Sequence, residues 1–256
     1  MQLFANIQNR WATFDGPLTF ACDSDSAKVS CGDVELELTP SEGICTISVS
    51  DCKKIMPDLG VYEVVASFGD SEITYGIERV SIRYTSKEAI IQYGKINNDN
   101  FEREELFTDE MFTRAILAAE EAIEQGCGRS FCRRKVEVVL FNPILNELPV
   151  VDAKEIDCED ASVSLVSYCQ ATGVLAPVRA TVLYGSVLNA QIANAATKLA
   201  ASFLRPRATP ENARGTAQDG VYISYELATG EDGSWTGLPS VDAAIATYKD
   251  YRGMIV

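Results

Sequence analysis

Residues 111–141 read MFTRAILAAEEAIEQGCGRSFCRRKVEVVLF, and the hydrophobic period changes within this stretch. An amphipathic helix is predicted by four apolar residues at helical spacing: Phe112, Ile116, Ala119 and Ile123. Thr108 precedes this helix as its N-cap, and Gly126 with Gly128 predicts its end. From Cys132 onward the apolar residues alternate, which predicts a strand. A chain that joins these two patterns belongs to the α+β fold class.

Residues 1–93 have the two-residue period throughout. Four segments rich in β-branched and aromatic residues predict strands: VELEL (34–38), CTISV (45–49), VYEVVASF (61–68) and EITYGIERVSIRY (72–84). Turn residues separate them, which predicts an antiparallel β-sandwich. Asp58, Gly60 and Tyr62 are similar to the tyrosine corner of immunoglobulin-like folds, although Val64 stands where that family has its second cysteine. A Tyr after an ordinary β-turn is the alternative interpretation.

The remaining sequence predicts two further regions. Polar residues 94–108 are interpreted as a linker, and residues 109–256 as a mainly helical domain with a strand-rich segment at 135–185. A second helix is predicted over 186–204, with Ser186 as N-cap and an apolar stripe of Leu188, Ile192, Ala196, Leu199 and Phe203. VYISYEL (221–227) predicts a short strand, and Ser240 is expected to cap a last helix.

Composition limits the possible functions. The 256 residues carry a net charge of −15 and no histidine, which excludes Ser-His-Asp and Cys-His catalysis and histidine metal sites. This acidity disfavours a dedicated nucleic-acid binder, because phosphate neutralisation needs a basic surface. The eight cysteines have no metal or redox spacing and are expected to be free thiols. Neither a signal peptide nor a membrane-spanning run is recognisable, and no cofactor is expected.

Three local patterns are candidate sites. GCGRSF (126–131) follows a helix and lacks a third glycine, so dinucleotide binding is not indicated. Glu120–Glu121 and the carboxylates at 157–160 are candidates for acid–base or metal chemistry, but a solvated acidic face is favoured. The one dense basic cluster consists of Arg129, Arg133, Arg134 and Lys135. We expect it to bind protein or to balance charge, with a helix C-terminus running into an edge strand as the simpler interpretation.

Three motifs occur in the order seen in the head–tail connector (adaptor) proteins of tailed bacteriophages, which residues 105–256 resemble. The first is an Ala-rich, acidic helix leading through a G-R-S-F turn into a strand, AAEEAIEQGCGRSFCRRKVEVV (118–139). The second is a helix followed by a Gly-containing loop and a small hairpin, ATKLAASFLRPRATPENARGTAQDGVYISYELA (196–228). The third is TGLPSVDAAI (236–245). The β region 1–93 lies outside the resemblance.

The resemblance implies a structural virion protein with no enzymatic activity. Such a protein forms a homo-oligomeric ring, typically dodecameric, under the portal at the neck, after assembly in the bacterial cytoplasm. The ring extends the DNA channel without specific DNA binding or membrane contact, and it provides a platform for a head-completion (stopper) or tail protein. An acidic channel wall would repel phosphates, and the candidate lumen carboxylates are Glu102, Glu104, Glu105, Glu155, Asp157, Glu159 and Asp160.

Subunit and portal contacts are expected in the C-terminal part of the chain. The candidate interface residues are Arg205, Arg207, Arg214, Trp235, Tyr248, Arg252, Met254, Ile255 and Val256. Arg205 also suits a helix C-terminus, whereas Arg207 and Arg214 are expected to pair with carboxylates of a neighbouring subunit or of the portal. Two alternatives remain open from the sequence: a secreted or surface immunoglobulin-like binding module, and a carboxylate-based metal-dependent enzyme.

Overall fold

The computed structural model describes residues 1–173, 177–205, 215–218, 221–224 and 236–249. The described helices are α1 Val49–Ile55, α2 Lys87–Ile96, α3 Asp109–Cys127, α4 Ala190–Leu204 and α5 Pro239–Tyr248. The strands up to residue 79 are β1 Asn9–Trp11, β2 Leu18–Ala21, β3 Ala27–Cys31, β4 Val34–Leu38, β5 Ile44–Ile47, β6 Gly60–Phe68 and β7 Ser71–Arg79. The later strands are β8 Arg134–Leu140, β9 Asn146–Glu147, β10 Glu155–Cys158, β11 Leu165–Ser167, β12 Gln170–Ala171, β13 Val178–Tyr184, β14 Gly215–Gln218 and β15 Val221–Ser224. The α+β class is confirmed.

The chain divides into two compact units, and each unit is built from separate segments. Unit 1 combines Met1–Arg83 with Arg129–Leu188, and unit 2 combines Tyr84–Gly128 with the chain from Asn189 onward. The predicted division into 1–93, 94–108 and 109–256 follows chain order, whereas the contacts join the N-terminal β region to the strand-rich middle of the chain. Periodicity detects individual elements, but it carries no information about which distant segments pack together.

The N-terminal part of unit 1 is a five-stranded sheet of order β1-β7-β6-β3-β4 together with the antiparallel pair β2–β5. One core cluster joins both sheets and α1, and it includes Trp11, Phe20, Ile47 and Ile77. All pairings are antiparallel except β1–β7, which is parallel. The antiparallel expectation therefore holds for this region apart from β1. The immunoglobulin-like topology stays a prediction.

The predicted bond from the phenol to the upstream backbone is present in unit 1. Tyr62 Oη donates to the Asp58 carbonyl at 3.0 Å and accepts from the Asp58 N–H at 3.2 Å. These bonds fix the chain at the entry to β6.

The second part of unit 1 contains the sheets β10-β13-β8 and β11-β12-β9. Alternate residues of β8 and β13 enter one core cluster that includes Val138, Leu140, Ala180 and Val182. The residues between them on each strand, such as Glu137 and Arg179, are exposed. This half-buried alternation is typical of a sheet with one solvated face. Strand β8 lies at the edge of its sheet, as the simpler interpretation of the basic cluster required.

Unit 2 is a helical assembly in which α4 contacts α2, α3 and α5. The predicted apolar face of α3 is confirmed, since Phe112, Ile116, Ala119 and Ile123 are all buried. Thr108 caps α3 by accepting the Met111 N–H at 3.3 Å. At the other end Gly128 adopts φ +68°, the left-handed conformation that ends helices. Gly126 lies inside the last turn and does not end the helix.

Some local sequence predictions need correction. Helices α1 and α2 occur within the region predicted to be all β, and residue 93 lies inside α2. Helix α4 begins after Asn189, whose side chain caps Ile192 N–H, so Ser186 is not the cap. Phe203 is 41 % exposed rather than part of a buried stripe.

The last helix and the predicted linker also differ from expectation. Helix α5 begins at Pro239 without a side-chain cap from Ser240. The linker residues 94–108 contain two buried rings, Phe101 and Phe107, packed edge to face with centroids 5.2 Å apart. Their polar neighbours dominate the composition of this segment, and that composition suggested a linker.

Candidate interaction surfaces

Arg134, one member of the basic cluster, takes part in an internal ion network of unit 1. Glu78 on β7 is 7 % exposed and lies between two guanidinium groups. Its Oε2 atom is 3.0 Å from Arg10 Nε and 2.6 Å from Arg134 Nη2, and its Oε1 atom is 2.5 Å from Arg134 Nε. Paired geometry of this kind compensates the desolvation of buried charges. Arg134 is therefore a structural residue that attaches β8 to β7.

The other members of the cluster have mixed surroundings. Arg129 Nη1 is 3.5 Å from Asp152 Oδ2, and Lys135 Nζ is 3.7 Å from Asp58 Oδ2. Arg133 is exposed, while its backbone N–H donates to Ser81 Oγ at 2.8 Å. Charge balance within unit 1 therefore accounts for Arg129, Arg134 and Lys135.

The candidate lumen carboxylates are all exposed, and they form one group in each unit. In unit 2, Glu102 pairs with Lys95 at 3.1 Å on the surface. In unit 1, Glu155 and Asp157 are two residues apart on β10, and both side chains lie on its solvent-exposed side. Ser162 donates to Asp160 Oδ1 from both its N–H (2.9 Å) and its hydroxyl (2.6 Å), and these bonds hold the pKa of Asp160 below its usual range. Each group contributes negative surface charge, and the two groups lie in different units.

Two of the predicted interface residues can be placed. Arg205 follows α4 and makes two hydrogen bonds to Asp99 Oδ2, from Nε at 3.0 Å and from Nη2 at 2.8 Å, and Asp99 raises the pKa of Arg205. Tyr248 Oη lies 3.3 Å from Gln191 Oε1. The other predicted interface residues lie outside the described residues: Arg207, Arg214, Trp235, Arg252, Met254, Ile255 and Val256. Arg205 thus has an intrachain partner, and its place at a subunit or portal interface stays a prediction.

The TGLPSVDAAI segment (236–245) forms a hydrogen-bonded turn that leads into the first turns of α5. Gly237 adopts φ +73°, and Pro239 occupies the first helical position. Asp242 Oδ1 accepts from the Thr236 N–H at 2.9 Å and from its hydroxyl at 2.8 Å. Val241 and Ile245 are buried. Each recurring position of the motif therefore has a conformational or packing role.

The G-R-S-F turn after α3 is also fixed by hydrogen bonds and by a buried side chain. The Ser130 carbonyl accepts from the Ser186 N–H at 2.9 Å, and Phe131 is 2 % exposed. Ser186 Oγ also donates to Asp152 Oδ2 at 3.0 Å. Ser186 was expected to cap a helix, but it instead connects this turn to the chain that follows β13.

Sequence reasoning missed an apolar loop in unit 1. Residues 141–145, named here the apolar loop, follow β8 and carry Phe141 and Ile144, which are 74 % and 80 % exposed. Asn146 is buried and holds the loop with three bonds: Oδ1 accepts from Phe141 N–H (3.0 Å) and Asn142 N–H (2.9 Å), and Nδ2 donates to the Asn142 carbonyl (2.8 Å). The only sequence signal was the Asn142–Pro143 pair, which indicates a turn but not its exposure.

A shallow groove of about 450 Å³ lies between α2 and α4 of unit 2 and is named here the helical groove. Its apolar lining comes from Ala89, Tyr93 and Ile96, of which Ile96 is 76 % exposed. Thr197 and Lys198 of α4 line its other side. The groove was missed because α2 was not predicted.

Within the described ranges, no cluster of three or more Cys, Asp or Glu side chains could hold a metal ion. Among the same residues, no helix is both long and apolar enough to cross a membrane. All eight cysteines are free thiols. The absence of enzymatic activity stays a prediction.

Comparison with known proteins gives structural similarity but no sequence match. No family model matches the chain, and no curated protein matches it. Among solved structures it is similar to a chain described as "Neck of empty GTA particle computed with C6 symmetry", with 17 % sequence identity and a TM-score of 0.35. The match covers 43 % of this chain and 79 % of that chain. Similarity at this level does not define a shared fold or a shared role.

Proposed function

We propose that this protein is a structural component of the neck of a phage-like particle. In this role it forms a homo-oligomeric ring, dodecameric by the family resemblance, beneath the portal. The ring extends the DNA channel and provides a platform for a head-completion or tail protein. It catalyses no reaction. The N-terminal β region is an appended immunoglobulin-like module in this proposal, supported by the Tyr62–Asp58 bonds.

The main support for the proposal is that the three connector-like motifs coincide with the helices, turns and strands that the structure shows at those positions. The acidic helix, its glycine cap and the following strand correspond to α3, Gly128 and β8. Strands β14 and β15 pair antiparallel after α4, as the small hairpin of the motif requires. The Thr236–Asp242 bonds give the aspartate of the third motif a structural role at the start of α5. The motifs therefore mark positions with structural roles, as expected if they define the connector fold.

The distribution of charge supports a channel that does not retain DNA. The chain has a net charge of −15, and three of the four basic-cluster residues face carboxylates of the same unit. The seven candidate lumen carboxylates are exposed and available to repel phosphate. DNA passes through such a ring without specific contacts.

The deciding experiment is electron microscopy of the purified chain, alone and mixed with the portal protein of the same particle. We expect rings of about twelve subunits in at least one of the two samples. Analytical ultracentrifugation of the same samples gives the subunit number independently. A strict monomer that does not bind the portal would overturn the proposal.

A further inference from the structure

The apolar loop has the properties of a preformed binding element. Its two large exposed apolar side chains, Phe141 and Ile144, lie on a loop whose backbone is bonded to buried Asn146. Gly173 adds a second restraint, since a Cβ atom there would lie 1.8 Å from the Asn142 carbonyl oxygen. A loop that is already ordered loses little conformational entropy on binding. The loop therefore presents apolar surface at low entropic cost.

The helical groove has the complementary shape and chemistry. It is concave and lined on one side by Ala89, Tyr93 and Ile96, and its volume of about 450 Å³ lies within the range of about 300–1,000 Å³ typical of binding pockets. Lys198 of α4 and Glu88 of α2 both line the groove, and Lys198 Nζ donates to Ser240 Oγ at 3.3 Å. Glu147 is exposed at the base of the apolar loop, so an inserted loop brings a carboxylate towards an ammonium group.

A second copy of the same chain is the occupant that fits these observations. Copies with a charge of −15 repel one another, so their association needs buried apolar area and local charge pairing. Every copy carries both the loop and the groove, and these are different surfaces. A contact between different surfaces is heterologous, and it generates a ring when the rotation closes.

We propose that the apolar loop of one copy inserts into the helical groove of the next copy, with Glu147 facing Lys198. This inference rests on the proposed ring and names the contact that forms it. Phe141 and Ile144 are the buried anchors, and the charge pair sets their orientation.

Complementation of two single variants tests this contact. Phe141→Asp removes the loop surface and keeps the groove, while Ile96→Asp removes the groove surface and keeps the loop. Each variant alone is expected to be monomeric by mass photometry. Their mixture has one intact loop and one intact groove per pair, so it is expected to form species of two chains and no rings.

Matched controls separate this result from a general loss of solubility. Phe14→Asp changes a Phe that is 89 % exposed elsewhere in unit 1, and Leu106→Asp changes an exposed Leu of unit 2. Both controls are expected to assemble like the unchanged chain. Circular dichroism of every variant reports whether it is folded. Glu147→Lys is expected to weaken assembly at least tenfold, and adding Lys198→Glu is expected to restore it.

The outcomes distinguish the inference from the proposed function. If the unchanged chain forms no ring, alone or with the portal, both are overturned. If it forms rings and the Phe141 and Ile96 variants form them equally well, the ring stands and this contact is wrong. If rings persist in the Phe141 variant while portal binding is lost, the loop binds the portal and the contact between copies is wrong.

Discussion

Strand β8 begins among cations and ends among exposed apolar side chains. At its start, Arg134 is bound by Glu78 and Lys135 lies near Asp58, so most of the positive charge is used within unit 1. At its end, Val139 of β8 and Phe141 and Ile144 of the apolar loop are each more than half exposed, and Asn146 holds the loop by hydrogen bonds. The charged end therefore has an internal explanation, whereas the apolar end does not. This difference is why the proposed contact between copies is placed at the apolar end of β8.

The largest effect is expected at the charged end. Glu78→Ala leaves Arg10 and Arg134 buried without their shared carboxylate, which costs about 3–5 kcal/mol of unfolding free energy. Urea denaturation measures this loss, and Glu63→Ala on the exposed face of β6 is the control, expected to change stability little. A loss below about 1 kcal/mol would show that the network contributes little.

A smaller loss of stability is expected when Asn146, which holds the apolar loop, is changed. Asn146→Ala removes the side-chain bonds to Phe141 and Asn142, at a cost of about 1–3 kcal/mol. Hydrogen exchange at the amides of Phe141 and Asn142 should accelerate, because their acceptor is lost. Asn100→Ala, at an exposed position, serves as control. Unchanged exchange at both amides would contradict the role given to Asn146.

Neighbouring residues at the end of β8 should respond in opposite ways. Phe141→Ala is expected to change the unfolding free energy of the monomer by no more than about 0.5 kcal/mol, because the side chain is exposed. Leu140→Ala, one residue earlier and 1 % exposed, is expected to cost about 2–5 kcal/mol. Thermal or urea unfolding of both variants measures the difference. Similar losses for both would mean that Phe141 packs within its own chain.

The smallest effect concerns Asp160 in the acidic surface. Ser162→Ala removes the hydroxyl bond and should raise the pKa of Asp160 towards its ordinary value, measured by NMR titration. The sign follows from the depressed pKa, because the bonded carboxylate favours the fold above the unfolded pKa. This contribution is lost as the pH falls through the folded pKa. A pKa that does not move would assign the effect to the backbone N–H of Ser162 alone.

Much of the local structure could be predicted from the sequence. The face of α3, the Thr108 cap and strands β4 and β6 follow from periodicity and capping preference, which depend on neighbouring residues. Helix α2 was missed because it directly follows a strand-like segment and because Gly94 interrupts its pattern. That glycine is needed for packing, since a Cβ atom there would lie 2.5 Å from the Phe101 ring.

The candidate surfaces were less predictable for a different reason. The role of Arg134 depends on Glu78, which is 56 residues away in the sequence. The exposure of Phe141 depends on Asn146 and on the close approach of Gly173, and neither is visible as a motif. Local sequence patterns indicate the conformation that the backbone prefers. Contacts with residues distant in the sequence determine which side chains remain exposed.

The Glu78–Arg134 pair also has a consequence for synthesis on the ribosome. Arg134 is translated 56 residues after Glu78. At about 5–20 residues per second, roughly 3–11 seconds separate the synthesis of Glu78 from that of Arg134. The N-terminal strands therefore emerge before the network of Arg10, Glu78 and Arg134 can be complete. Its completion requires that segment 84–128 has already been made.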